Sequence, residues 1–113
     1  MHELSITMSI IEIAEENARK ANASAIYEIE LEIGKQSGVV IEALEFAIES
    51  AKKGTMLENA KWIIHEIPAM AKCTNCSLEF ESENLFSPCP ACGNPFSDIF
   101  QGKELRVRTL KVE

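Results

Sequence analysis

The sequence predicts an α+β fold in which two helices pack on a small mixed β-sheet and a short cysteine-bearing unit precedes the last strand. Apolar residues recur at three- and four-residue steps in two segments, which is typical of amphipathic helices. One segment alternates strictly between apolar and acidic residues, which is typical of a half-buried strand. Four cysteines then lie ahead of a final segment in which apolar and charged residues alternate, as in another strand.

The first helix is predicted from Leu4 to about Ala21. Acidic and basic residues occupy much of its remaining surface, and the polar segment from Asn22 to Ser24 ends it. We expect its buried face to consist of Leu4, Met8, Ile11, Ala14 and Ala18.

The segment YEIELEIG predicts the first strand. The glutamates at 28, 30 and 32 should form a solvated face, and Gly34 should end the strand. The opposite, buried face should contain Tyr27, Ile29, Leu31 and Ile33.

A second helix should follow the loop at Ser37 and Gly38, with Gly54 in the left-handed conformation that ends helices. Its apolar stripe is predicted to contain Val40, Leu44, Ala47, Ile48 and Ala51.

Two further strands complete the predicted sheet. One runs roughly from residue 60 to 67 and stops at Pro68. In the closing segment, Leu105 and Val107 alternate and then Leu110 and Val112 continue in the opposite phase, which indicates a bulge. The helix/sheet domain is therefore predicted to span 1–68 and 103–113, and the inserted domain 69–102. Because the chain leaves and re-enters one body, Pro68 and Gly102 should lie close together.

Composition and charge exclude several classes of protein. The 113 residues carry a net charge of −7, so we expect no binding to nucleic acid, which normally requires a basic surface. We also expect no membrane span and a cytoplasmic location, since no long apolar run or signal segment is visible. In a reducing compartment, cysteines favour metal ligation over disulfides.

The cysteines occur as two CxxC pairs separated by twelve residues: Cys73, Cys76, Cys89 and Cys92. A two-residue gap turns both thiolates of a pair towards one cation, and two pairs provide the tetrahedral ligands that zinc prefers. The alternatives are two disulfides, four buried thiols or an iron site. Four protein ligands leave no open position for water or substrate, so this spacing predicts a structural zinc site and no catalytic residue.

The amino terminus offers a different set of ligands. The free amine, the amide nitrogen of His2 and the imidazole Nδ1 can form two fused chelate rings in one plane, with a group of Glu3 near the fourth corner. Nitrogen-rich square-planar sites select nickel(II) or copper(II). The alternative is that His2 is a solvated terminal residue. The other histidine, His65, is expected to face solvent or to pack at a strand edge.

These segments together resemble the HypA/HybF family of hydrogenase-maturation nickel metallochaperones. The resemblance covers essentially the whole chain and depends on MHELSI, EIGKQSGV, GTMLENAKWIIHEIP, the CxxC and CPxCG pairs, and GKELRVRTLKVE. It implies that Met1, His2 and Glu3 carry nickel and that the four cysteines bind zinc. It also implies delivery to the large subunit of nickel–iron hydrogenase, with a partner hydrogenase-maturation GTPase; some family members serve urease.

The alternative function is a zinc-ribbon adaptor that binds a protein or, less in keeping with the acidic charge, a nucleic acid. An enzyme is not predicted, because nothing in the sequence assembles a reaction centre. The chain also has no G-x-x-x-x-G-K phosphate loop and must obtain nucleotide energy from a partner. Whether it acts as a monomer or a homodimer stays open.

Overall fold

A computed structural model describes residues 3–82 and 87–113. In chain order the elements are α1 (Glu3–Lys20), β1 (Ile26–Gly34), α2 (Ile41–Ala51), β2 (Lys61–Ile67), β3 (Met70–Cys73), β4 (Glu79–Glu81), β5 (Ser97–Gln101) and β6 (Leu105–Val112). One three-stranded sheet has the strand order β2-β1-β6, and a second has the order β4-β3-β5. The predicted α+β fold with an inserted small unit is confirmed. Among the described residues, neither helix has the length and apolar character that a membrane span requires.

The chain forms two compact units. The first, here called the helix–sheet unit, comprises Met1–Glu32, Val39–His65 and Arg106–Glu113. The second, here called the cysteine unit, comprises Ile33–Gly38 and Glu66–Leu105.

Helix α1 buries a face that differs in part from the predicted one. Leu4 and Met8 are more than half exposed, so their predicted burial is wrong. Thr7 is buried instead, because its hydroxyl donates to the Glu3 carbonyl at 2.8 Å and needs no water. The buried residues of α1 are Thr7, Ile10, Ile11, Ala14 and Ala18.

Helix α2 and strand β1 as far as Glu32 contribute the rest of the core of the helix–sheet unit. α2 packs against α1 and buries Leu44, Ala47 and Ile48, as predicted. Val40 is the exposed N-cap residue and not part of the buried stripe. Gly54 has the predicted positive φ of 78°. On β1 the predicted burial is confirmed for Ile29, Leu31 and Ile33 and is wrong for Tyr27, whose neighbour Ile26 is buried in its place.

The glutamates of β1 are not the solvated row that the sequence predicts. Their side chains are only 17 to 23% exposed, because each one pairs with a cationic or imidazole side chain on another strand. Glu28 binds Lys111 at 2.8 Å and Glu30 binds His65 at 2.9 Å. Glu32 binds Arg106 and also lies 4.0 Å from Arg108. The expected edge position of His65 is confirmed, since β2 is an edge strand.

The cysteine unit is built on an antiparallel sheet. β3 pairs Ala71 with Phe80 of β4 and with Ile99 of β5, which places the three side chains in one small apolar cluster. The register shifts between Met70 and Ala71, so β5 has one extra residue there.

Two glycines allow the chain to enter and leave the cysteine unit at one place. A Cβ on Gly34 would lie 1.9 Å from the Gly102 carbonyl oxygen, and a Cβ on Gly102 would lie 2.5 Å from the Ala69 Cα. Gln101 also donates to the Pro68 carbonyl at 3.0 Å. The predicted closeness of Pro68 and Gly102 is confirmed. Glycine is required at positions 34 and 102 because a Cβ at either position would collide with the backbone of a neighbouring segment.

Candidate metal centre

Each CxxC pair forms a tight turn of the same design. In the first turn, Ser77 donates its N–H to the Cys73 carbonyl at 3.1 Å, and Cys73 donates to the Leu78 carbonyl at 2.9 Å. In the second, Gly93 donates to the Cys89 carbonyl at 2.8 Å, and Cys89 donates to the Asn94 carbonyl at 2.9 Å.

The residue after each pair has a positive φ, 64° at Ser77 and 75° at Gly93. Gly93 adopts this left-handed conformation without steric strain and so closes the second turn. At the first turn a serine accepts the same left-handed conformation, which side chains other than glycine adopt less readily.

These two turns bring the four sulfur atoms together. All four Sγ atoms lie within 4.8 Å of one another. Cys73 and Cys92 are separated by 3.6 Å and Cys76 and Cys89 by 3.5 Å, against about 2.05 Å in a disulfide. The cysteines are free, so the disulfide alternative is wrong. The first cysteine of each pair is buried and the second is exposed.

Several N–H groups point at the sulfur of Cys73. The backbone amides of Asn75 and Cys76 lie 3.4 and 3.5 Å from it, and the side-chain amide of Asn94 lies 3.6 Å from it. Asn94 also donates to Thr74 at 3.0 Å, and its Oδ1 accepts from the Phe96 amide. Asn94 is not among the residues predicted from the sequence, although its place directly after CPxCG marks it.

The cluster favours charge on some sulfurs and opposes it on others. The Cys76 amide, helped by Asn75 and Asn94, lowers the pKa of Cys73 to about 6 despite desolvation. The Cys92 amide likewise lowers the pKa of Cys89. The Leu78 amide lowers the pKa of Cys76, but the hydrogen bond to Cys89, desolvation and the hydrogen bonds to the other two sulfurs outweigh it and raise that pKa to about 12.

Four thiolates at these separations repel one another, so they need a cation between them. A divalent ion that accepts four sulfur ligands removes the remaining protons and balances the charge. The donor set and its geometry therefore constitute a four-cysteine metal-binding site. Among the described residues it is the one group of three or more His, Cys, Asp or Glu side chains placed to hold an ion.

The predicted residues at the amino terminus are only partly described. Met1 and His2 lie outside the described residues, whereas Glu3 is the first residue of α1. The Glu3 Oε2 accepts from the Val40 amide at 3.3 Å, and its carbonyl accepts from Thr7. Glu3 is therefore anchored both to its own helix and to the beginning of α2.

Comparison with known proteins assigns this chain to a family. The family model described as "Hydrogenase/urease nickel incorporation, metallochaperone, hypA" matches residues 1–112. A hydrogenase maturation factor HypA from Parabacteroides distasonis is 50% identical over 113 residues, covering 100% of this chain and 98% of that protein. The corresponding factor from Geobacter metallireducens is 43% identical over the full length of both.

Solved structures agree with the sequence matches. The solution structure of the nickel metallochaperone HypA from Helicobacter pylori has a TM-score of 0.70 at 28% identity. It covers 99% of this chain and 97% of that one. A second solution structure, of a HypA protein, gives a TM-score of 0.74 at 28% identity over 100% and 97% of the two chains.

Proposed function

The chain belongs to the HypA family of nickel-incorporation metallochaperones, and from that membership we propose that it carries nickel(II) during maturation of nickel–iron hydrogenase. The family consists of metallochaperones rather than enzymes, in agreement with the sequence prediction. The observation that carries the proposal is the match over residues 1–112, which includes the Met-His-Glu start. Hydrogenase is preferred to urease as the client because the relatives from Parabacteroides distasonis and Geobacter metallireducens are named for hydrogenase maturation.

The proposed nickel ligands are Met1, His2 and Glu3. The terminal amine, the His2 amide nitrogen and the His2 imidazole form a plane that suits nickel(II), and Glu3 completes it. The anchoring of Glu3 by Thr7 and Val40 supports this proposal, since it fixes the residue from which the ligands extend. Because the amide nitrogen must lose a proton, binding should weaken as the pH falls, which favours release.

The proposed resident ion of the cysteine unit is zinc(II), held by Cys73, Cys76, Cys89 and Cys92. Tetrahedral bonds of about 2.3 Å imply sulfur separations of about 3.8 Å, close to those at 3.5 and 3.6 Å. When bound, zinc supplies charge and four strong bonds and leaves no position for substrate. We assign the nickel-binding domain to 1–68 with 103–113 and the zinc-binding domain to 69–102.

The proposed partners are a hydrogenase-maturation GTPase and the large subunit of nickel–iron hydrogenase. The GTPase is proposed as the nucleotide-binding partner, since this sequence has no G-x-x-x-x-G-K phosphate loop of its own, and the large subunit is proposed as the protein that receives the nickel. No nucleic-acid partner is proposed for a chain with a net charge of −7.

Nickel titration of the untagged protein tests the nickel site. A dissociation constant in the micromolar range, about −8 kcal/mol, is expected for a carrier that must release its ion. His2→Ala should weaken binding at least tenfold, since even outer-shell ligand partners are worth about 10–100-fold. His65→Ala removes the other histidine and should leave nickel affinity unchanged. Parent-like affinity in His2→Ala would overturn the proposal and leave the zinc-stabilised adaptor as the alternative.

A further inference from the structure

The outward surface of α2 carries a stripe that the core of the helix–sheet unit does not use. Glu42, Glu45, Phe46 and Glu49 are spaced at i, i+3, i+4 and i+7, so they lie on one side of the helix. All four are exposed, and Phe46 is exposed by 76%. We call these four residues the α2 stripe. The opposite face already supplies the buried residues of this helix, so folding does not explain a phenylalanine here.

A groove lies beside the α2 stripe within the same unit. It encloses about 290 Å³ between α2 and β2, with Ile48, Ala60, Trp62 and Ile64 as its apolar lining and Glu45 and Lys52 on its rim. The indole N–H of Trp62 is buried and has no acceptor among the described residues. A buried donor without an acceptor costs about 1–3 kcal/mol, so the wall of the groove that contains Trp62 is less completely satisfied than the core behind it.

The charges of the α2 stripe are largely uncompensated. Glu49 binds Lys52 at 3.0 Å. Within the described part of the chain, Glu42 and Glu45 have no ion pair or hydrogen bond. A second copy meeting this surface face to face would bring carboxylates together, whereas a basic partner would neutralise them.

The α2 stripe also lies close to the residue that anchors the proposed nickel site. Val40, whose amide binds the Glu3 carboxylate, is the N-cap of α2. Phe46 follows six residues later, about 9 Å along the helix axis. A protein docked on the stripe would therefore lie close to Glu3, as transfer of an ion over a short path requires.

We propose that the α2 stripe and its groove dock the protein with which this chain exchanges nickel. That protein presents an apolar pocket for Phe46, bordered by Lys or Arg side chains for Glu42 and Glu45. The proposal rests on the proposed nickel function, but it concerns the binding surface and not the ligands. Burial of an aromatic anchor inside a ring of charged contacts is the arrangement of an interface hot spot.

Titration calorimetry of the full-length chain with the purified GTPase, and separately with the hydrogenase large subunit, tests the surface. Phe46→Ala should weaken binding to at least one of them about 30-fold, and Glu45→Lys should slow association and reduce its salt dependence. Ile13→Ala and Glu12→Lys are matched controls on α1 and should bind like the parent. Nickel affinity should be unchanged in all four variants, so a failed nickel site and a failed docking surface give different results.

Three results would contradict the proposal that the α2 stripe is a docking surface. One is parent-like binding of both proteins by Phe46→Ala and Glu45→Lys. Another is the absence of binding by the parent itself to either protein. The third is a parent dimer, detected by sedimentation, that Phe46→Ala converts to a monomer, because the stripe would then belong to a self-association interface.

Discussion

The two units of this chain are stabilised by different means. The helix–sheet unit buries the aliphatic faces of two helices and a strand, including Ile29, Leu31 and Leu44. The cysteine unit has a buried cluster of four residues, of which Cys73 and Cys89 also belong to the four-cysteine site. Each fully buried aliphatic side chain contributes about 1.5–3 kcal/mol, so we expect hydrophobic burial to suffice for the first unit and not for the second. We therefore expect the helix–sheet unit to fold without a metal and the folding of the cysteine unit to depend on its ion.

Removal of the metal should have the largest effect and should affect one unit only. Binding of structural zinc is worth about 10–16 kcal/mol in small cysteine-rich modules, far more than the apolar cluster of Ala71 and Phe80 supplies. Chelation should therefore abolish amide-exchange protection in 69–102 and preserve it in α1, α2 and β1. Uniform loss of protection in both units would contradict this separation.

A substitution in the hydrophobic core should instead destabilise the helix–sheet unit. Leu31→Ala removes a side chain that is 1% exposed, and we expect a loss of about 2–5 kcal/mol in the free energy of unfolding measured by urea denaturation. Ile13→Ala, at an exposed site on α1, should change stability by less than about 0.5 kcal/mol. Equal effects of the two substitutions would show that Leu31 is not part of the core.

A side chain at Gly34, where the backbone meets that of Gly102, should lower the stability of the protein by an intermediate amount. Gly34→Ala forces a Cβ to within 1.9 Å of the Gly102 carbonyl oxygen, and we expect a loss of about 3 kcal/mol, at the upper end for overpacking. Gly38→Ala is the control: its φ of 83° is unfavourable, but no atom lies within 4 Å of the new Cβ, so about 1 kcal/mol is expected. A smaller loss for Gly34→Ala than for Gly38→Ala would refute the close backbone contact.

The smallest effect concerns pH and the pair Glu30–His65. The hydrogen bond from His65 lowers the pKa of Glu30 below its ordinary value of 4.5, against desolvation and with help from Thr109. Because the folded pKa is the lower one, this stabilisation is present above pH 4.5 and is lost as the pH falls through the folded value. In a carboxyl NMR titration, His65→Gln should raise the Glu30 midpoint and Lys20→Gln should not. A midpoint unchanged by His65→Gln would contradict the assigned cause.

Sequence reasoning succeeded where neighbouring residues determine the structure. The burial of Ile29 and Leu31 follows from strict alternation, and the gathering of the sulfurs follows from CxxC turns closed by local hydrogen bonds. It failed on α1 because apolar residues on several sides permit more than one buried stripe. The choice between Met8 and Thr7 depends on a hydroxyl that bonds to Glu3, a contact that apolar spacing does not reveal.

The remaining features depend on residues far apart in the chain. Glu30 and His65 are 35 positions apart and Glu32 and Arg106 are 74 apart, so only the strand order β2-β1-β6 brings them together. The contact of Asn94 with Cys73 likewise depends on the meeting of two separate turns. No pattern within one segment predicts such pairs, whereas the fold class follows from patterns that do lie within single segments.

The most direct test of nickel binding at the amino terminus is to measure the metal content of the protein with and without a free terminal amine. The native chain and a chain extended by Gly-Ser before Met1 would each be dialysed to equilibrium against zinc and a nickel concentration above the expected micromolar dissociation constant, and both protein-bound metals would be measured. We predict one zinc in each protein and nickel only in the native chain, because the extension removes the terminal amine and leaves the four cysteines intact. Equal nickel in the two proteins would contradict a site at the amino terminus.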